Sequence, residues 1–174
     1  MPIGAVPHAM TVHELTRRQE LQGTPDEVFP FFADATNLEA LTPPLLEFKV
    51  ITPRPIQMHA GTLIEYRLKV HRVPVNWRTQ IEEWQPSERF VDRQLKGPYK
   101  LWHHTHTFEP LAGGKTLMHD VVRYSVGYGP LGDLAKRLFV GRDVAAIFDY
   151  RAEVIEQLLE ADIERRSSSE RSAA

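Results

Sequence analysis

Residues 101–125 read LWHHTHTFEPLAGGKTLMHDVVRYS, and the alternation inside them decides the architecture. Trp102, His104, His106 and Phe108 share one face of the first half. Met118, Asp120, Val122 and Tyr124 share one face of the second. Successive side chains of an extended chain point to opposite sides, so a period of two marks a strand. Gly113-Gly114 lies between the halves and is the composition of a tight hairpin turn. Closing the hairpin there sets Trp102 against Tyr124, His104 against Val122 and His106 against Asp120. Trp102, Phe108 and Met118 make these the inner faces, so His104, His106 and Asp120 are expected to point inward. A slip of two residues would change partners but not faces.

The same period extends toward the N-terminus. Phe90, Asp92 and Gln94 alternate with Val91, Arg93 and Leu95, and Gly97-Pro98 closes the next hairpin, which brings Asp92 near His104 and Phe90 near His106. Ile64, Tyr66, Leu68 and Val70 form another alternating set, as do Val75, Trp77, Thr79 and Ile81, and Leu46, Phe48 and Val50. Each run has one face for a core and one for water, the pattern of an antiparallel sheet covered on one side. Turn residues at Ala60-Gly61, Pro74 and Pro86-Ser87 separate the runs.

His13 to Gln22 reads as a first strand ended by Gly23. Thr24-Pro25-Asp26-Glu27 is a capping box with Pro at the first helical position. Pro30 should shorten or kink the helix that follows. Thr36-Asn37-Leu38-Glu39 repeats the capping pattern and opens a second short helix, stopped at Thr42-Pro43-Pro44. Beyond Val126 the period becomes helical. Val144, Ile147, Phe148, Val154, Ile155, Leu158 and Leu159 form one apolar stripe, with Gly141 a weak point. From Gly132 to Ile163 the helix would be about 48 Å long at 1.5 Å per residue. Arg151 falls in the middle of that stripe, where a lone charge is costly, so Asp120 or Asp92 is its expected counterion.

The order is strand, two short helices, six strands and one long helix. An α+β fold follows: a curved antiparallel seven-stranded sheet wrapped around the C-terminal helix. At 174 residues and 20.0 kDa, with 42% hydrophobic and 25% charged residues, the chain suits a single globular domain. The domain is expected over residues 12–164, with flexible tails at 1–11 and 165–174. Twenty-one basic against 23 acidic side chains leave a formal charge of -2, which argues against gripping nucleic acid or an anionic membrane by bulk charge. The absence of cysteine excludes disulfides, thiol catalysis and Cys-ligated metals. No apolar run reaches the ~18 residues of a membrane span. Met1 to Met10 lack a basic start before an apolar core, so no secretory signal is expected and the cytoplasm is the expected compartment.

Phe90-x-Asp92, Gly97-Pro98-Tyr99, Trp102-x-His104-x-His106-x-Phe108, Asp120-x-x-x-Tyr124 and Tyr150-Arg151 together resemble the START-like, or SRPBCC, superfamily. Within it they look closest to the cyclase/dehydrase branch, grouped with polyketide cyclases and coenzyme Q-binding START proteins. The resemblance covers roughly residues 12–163 and implies the helix-grip fold. It also implies a hydrophobic cavity between sheet and long helix. Members bind lipids, isoprenoid quinones, polyketides or hormones, and a minority catalyse cyclisation.

The expected function is binding of a small hydrophobic molecule, with Tyr66, Trp77, Phe90, Asp92, Trp102, His104, His106, Tyr124, Phe148 and Arg151 as the ligand-binding set. The ligand's polar head would meet His104, His106, Asp92 and Arg151. An alternative is a cyclase or dehydratase in which His104, His106 and Asp120 carry acid–base chemistry. A second alternative is a protein-interaction module with a filled interior. No cofactor is called for, and no nucleic acid or stable membrane insertion is expected. A zinc site would need Asp120 as third ligand because His103 faces the other way, and no metal is assigned. Gly113-Gly114-Lys115-Thr116 lacks the first glycine of a phosphate loop and reads as a hairpin turn. Arg137, Arg142, Arg165 and Arg166 read as a solvated helix face.

Overall fold

The structure is a computed structural model that describes residues 11–70, 72–126 and 130–173; the expected leading tail at 1–11, apart from Thr11, lies outside them. Strand β1 (His13–Gln22) is followed by helix α1 (Pro25–Ala33), 3-10 helices at Ala35–Glu39 and Pro44–Leu46, and a short β2 (Lys49–Val50). Then come β3 (Leu63–Val70), β4 (Val73–Gln85), β5 (Arg89–Lys96), β6 (Leu101–Leu111), β7 (Lys115–Ser125) and α2 (Pro130–Ala173). The strands form one antiparallel sheet in the order β1-β7-β6-β5-β4-β3-β2. This is the expected α+β helix-grip arrangement.

The β6–β7 hairpin has the expected register. Trp102 pairs with Tyr124, His104 with Val122 and His106 with Asp120. On the other side of β6, Asp92 pairs with His104 and Phe90 with His106. Strand β4 carries irregularities between Arg78 and Thr79 and between Ile81 and Glu83. An extra residue on one strand bends the ladder and increases its twist, which curves the sheet toward α2.

The first capping box forms: the Glu27 carboxylate accepts from the Thr24 backbone N–H at 2.8 Å and from its hydroxyl at 2.9 Å. The second short helix differs from expectation. It is a 3-10 helix that starts two residues earlier, because Asp34 Oδ1 accepts from the Thr36 backbone N–H at 2.8 Å. A short acidic side chain before the turn satisfies a free backbone donor more directly than Thr36 can from within it.

Helix α2 is continuous through Gly141 and continues past Ile163, where the sequence reading ends it, to Ala173. Asp162 is 93% buried and accepts from Arg165 and Arg166 at 2.7 Å each, the i,i+3 and i,i+4 pairs that support a helix. Arg166 also donates to the Glu27 carbonyl at 2.6 Å, tying the helix to α1. It is therefore a structural clasp and not one of a row of solvated charges.

The apolar stripe of α2 faces the sheet through Val144, Phe148, Ile155 and Leu159, all nearly fully buried. The buried side chains fall into three clusters. One joins α1 to Phe90, Phe108, Ile155 and Leu159; one joins Ala35 to Ile64, Tyr66 and Ile81; one joins Val122 and Tyr124 to Val144 and Phe148. The site lies where these three meet.

Candidate functional site

Between the concave face, α2 and the segment from α1 to β2 lies a cavity of about 160 Å³. Its wall is mainly apolar. Phe31, Leu38 and Ile64 contribute from three different elements, and Trp77, Tyr99 and Trp102 form an aromatic corner with ring centroids 4.9–5.4 Å apart. Tyr66 and Thr79 share a hydroxyl–hydroxyl hydrogen bond, and Trp77 Nε1 donates to the same Thr79 oxygen at 3.0 Å. Burial pushes the Tyr66 phenol far above its ordinary pKa, so it stays protonated and able to donate.

The polar part of the wall comes from β5, β6 and α2. His104 and His106, being two residues apart on β6, project to the same side with ring centroids 3.7 Å apart. Asp92 reaches them from β5 and Asp120 from β7. The four side chains close a ring in which each carboxylate touches both imidazoles. His104 Nε2 lies 3.0 Å from Asp120 Oδ1 and Nδ1 lies 3.5 Å from Asp92 Oδ2. His106 Nε2 lies 3.3 Å from Asp92 Oδ2 and Nδ1 lies 2.8 Å from Asp120 Oδ1. That last approach is off the axis of a good hydrogen bond, and it holds as a charge contact. Phe90 stacks on His106 at 4.0 Å and fixes the ring plane.

The two histidines are not equivalent. Burial and the neighbouring His106 charge pull the His104 pKa below its ordinary value, and Asp120 offsets this only in part. Burial also disfavours the charge on His106, but the Asp120 and Asp92 carboxylates outweigh it and hold its pKa above the ordinary value. For Asp92 and Asp120, burial would raise the pKa; hydrogen bonds and charges from the imidazoles overcome it and hold both carboxyls ionised. With His106 and Arg151 charged and His104 neutral, the five groups sum to zero. A buried polar cluster is tolerable in that state.

Of the expected ligand-binding residues, Tyr66, Trp77, Phe90, Asp92, Trp102, His104, His106, Phe148 and Arg151 all line the cavity. Tyr124 does not. It packs behind the wall against His13 and Trp102, at 5.4 and 6.4 Å between ring centroids, so its inward face serves the core. Asp120 likewise stands behind the histidines and lines a separate cleft toward β1 with Arg17 and Arg151.

The expected ion pair of Arg151 with Asp120 or Asp92 does not form. Among the described residues Arg151 has no carboxylate within ion-pair distance, and its buried Nε has no hydrogen-bond partner. The imidazoles have taken one oxygen of each carboxylate, Asp92 Oδ2 and Asp120 Oδ1. The guanidinium instead stands over Phe148, 4.9 Å from the ring centroid. Burial lowers its pKa, opposed by the charges of Asp120 and Asp92.

Sequence reasoning missed the part of the wall contributed by Phe31, Leu38, Leu41 and Met58. These lie on short helices and irregular chain, where no period longer than a turn exists to assign a face. The ligand atoms of Asp92, His104 and His106 all lie within 4.8 Å of one another, close enough to hold a metal ion. The sequence reading put Asp120 in that position; the register brings Asp92 to the cavity side.

The family described as polyketide cyclase / dehydrase and lipid transport matches residues 12–160. The chain belongs to this family. Its START-like, SRPBCC-type fold is one that binds hydrophobic ligands. Solved structures agree on the fold. A Thermus thermophilus protein superposes with a TM-score of 0.70 at 16% identity, covering 86% of this chain and 99% of that one. The Zhui aromatase/cyclase of Streptomyces sp. R1128 gives 0.63 at 14%, covering 90% and 96%. A norcoclaurine synthase point mutant from Thalictrum flavum, bound to a transition-state analogue, gives 0.61 at 14%, covering 88% and 98%. No curated protein matches the chain. Among the described residues no helix is long and apolar enough to cross a membrane.

Proposed function

We propose that the protein is a binder or carrier of a small hydrophobic, ring-bearing ligand with one polar head, acting in the cytoplasm. The observation that carries this reading is a mainly apolar cavity of about 160 Å³ with its charged groups gathered on the β5–β6–α2 wall. A cavity of about 150 Å³ lined by apolar side chains admits benzene, so the space suits a ring and short substituents better than a long isoprenoid chain. The aromatic corner of Trp77, Tyr99 and Trp102 supplies a flat apolar surface. Asp92, His104, His106 and Arg151 supply donors and acceptors for the head. An interior that holds a cavity favours this reading over a protein-interaction module with a filled core.

Native mass spectrometry of freshly purified protein, followed by a thermal-shift panel of aromatic polyketides, short quinones and fatty acids, tests it. A ligand at a hundredfold excess over its Kd adds about 2.7 kcal/mol of stability. Failure of every compound to raise the melting temperature, with no bound apolar molecule, would overturn the reading.

One observation favours a second reading, catalysis. His104 stands on the cavity wall with a depressed pKa and a carboxylate behind it, the arrangement of a general base. A cyclase or dehydratase of this kind would lose turnover in the His104→Ala/His106→Ala double variant. Turnover that survives there removes these residues from the chemistry.

A further inference from the structure

Asp120 Oδ1 faces the rear nitrogen of each imidazole, 3.0 Å from His104 Nε2 and 2.8 Å from His106 Nδ1. His104 Nε2 hydrogen-bonds the Asp120 carboxylate, which only accepts, so its Nδ1 is the lone-pair nitrogen facing Asp92 Oδ2 at 3.5 Å. His106 instead meets Asp92 Oδ2 through Nε2 at 3.3 Å, because its Nδ1 approach to Asp120 is off the hydrogen-bond axis. A metal ion taking the place of the proton on His106 Nε2 would be held by both imidazoles and the carboxylate.

The two distances to Asp92 Oδ2 suit a metal, and all three ligand atoms lie within 4.8 Å of one another. Four ligands at about 2.0–2.1 Å in a tetrahedron stand about 3.3–3.4 Å apart. We propose that Asp92 Oδ2, His104 Nδ1 and His106 Nε2 form a divalent metal site of the zinc type, with a fourth position open to the cavity. His-x-His on β6 and the cross-strand position of Asp92 on β5 build it from rigid sheet and not from loops. Asp120 acts from behind, fixing tautomer and ring orientation as outer carboxylates do at histidine-ligated metals. Two carboxylates, one dication and the Arg151 guanidinium sum to a single positive charge. The open position would therefore take an oxygen anion: hydroxide, or the enolate, phenolate or carboxylate head of a cavity ligand. The metal site stands or falls independently of the carrier reading, because it can fill with the cavity empty.

The test uses the full chain, prepared without a histidine tag, stripped by a chelator and titrated at neutral pH with Co²⁺ and then Zn²⁺. The expected result is one equivalent of cobalt with the intense visible absorption of a four-coordinate ion, displaced by zinc. Asp92→Ala and His106→Ala should abolish that absorption and His103→Ala should keep it. Asp120→Asn should weaken binding by roughly 10- to 100-fold without changing the stoichiometry. Weak, featureless six-coordinate absorption by the wild-type protein, or binding that survives Asp92→Ala, would overturn the proposal. The wild-type spectrum decides alone if a variant does not fold, and circular dichroism identifies that case.

Discussion

Asp120 Oδ1 lies 3.0 Å from His104 Nε2, and both side chains are more than nine-tenths buried on the concave side of the sheet. The pair joins neighbouring strands β6 and β7 inside the core and not at the surface, where water and salt would screen it. Removing one partner of a buried pair leaves the other's charge or donor uncompensated. Asp120→Ala is expected to cost about 3–5 kcal/mol of stability by urea unfolding. Asp120→Asn keeps the volume and one acceptor, and should cost less. A loss below about 1 kcal/mol for the alanine variant would mean that the ring of four side chains contributes as surface pairs do.

Val144 is 99% buried and lines the cavity from α2. Extra methylenes forced into a packed core cost about 1–3 kcal/mol. At Val144 they have a cavity to enter, so Val144→Phe should change stability by less than about 1 kcal/mol. The same variant should abolish uptake of the ligand found by mass spectrometry. Unchanged uptake in a folded Val144→Phe protein would place the ligand elsewhere.

The run of neighbouring strands from β3 to β7, the pairing of His106 with Asp120 and the inward aim of Asp92 all follow from period two plus hairpin turns, whereas the place of β1 beside β7 does not. Those signals are local, and register converts them into three-dimensional neighbours. Arg151 marks the limit of such local signals. Its place on the inner stripe was readable, but its partner was not. The competition between arginine and two imidazoles for two carboxylates depends on strand separations that a sequence does not carry. Tyr124 fails for a related reason: sharing a face with Trp102 says that it is buried, not which side of the cavity wall it occupies. The same limit applies to Phe31 and Leu41, which reach the cavity only because α1 folds back over the sheet.

Arg151 is half-buried, with a buried, unpartnered Nε and no ion pair among the described residues, and it lines the cavity. Arg151→Met therefore breaks no direct pair, and its stability cost should stay under the roughly 3–5 kcal/mol expected for a broken buried pair. Binding should respond more. A hydrogen bond to a charged group contributes about 1.5–3 kcal/mol, so affinity for a ligand with a phenolate or carboxylate head should fall about tenfold or more. A ring of the same size without that head should bind the variant and the wild-type protein alike. Isothermal titration of the matched pair of ligands makes the comparison, and equal losses for both would assign Arg151 to packing.

Glu39 holds the 3-10 helix over the cavity to the edge of the sheet. Its carboxylate accepts from Lys49 Nζ at 3.0 Å, from the Val50 backbone N–H at 3.1 Å and from Arg54 Nη2 at 3.4 Å. Ala35 and Leu38 on that helix line the cavity, so the clasp bears on access to it. Burial would raise the Glu39 pKa, but the Lys49 and Val50 hydrogen bonds and the Lys49 and Arg54 charges hold it below the ordinary value. A folded pKa below the unfolded value, about 4.3, means the stabilisation is present above that pH and lost as pH falls through the folded value. The clasp is a quarter exposed on its acidic side, so its contribution should stay near or below about 1 kcal/mol. The expected signature is local: amide exchange at Val50 should speed up relative to the sheet centre as pH drops from about 5 toward 3, after correction for intrinsic rates. Glu39→Gln should show the faster exchange already at neutral pH, with no further acid-dependent change, and should release a bound ligand faster. Equal Val50 protection in the variant and the wild-type protein at neutral pH would show that the carboxylate does not hold the helix over the cavity.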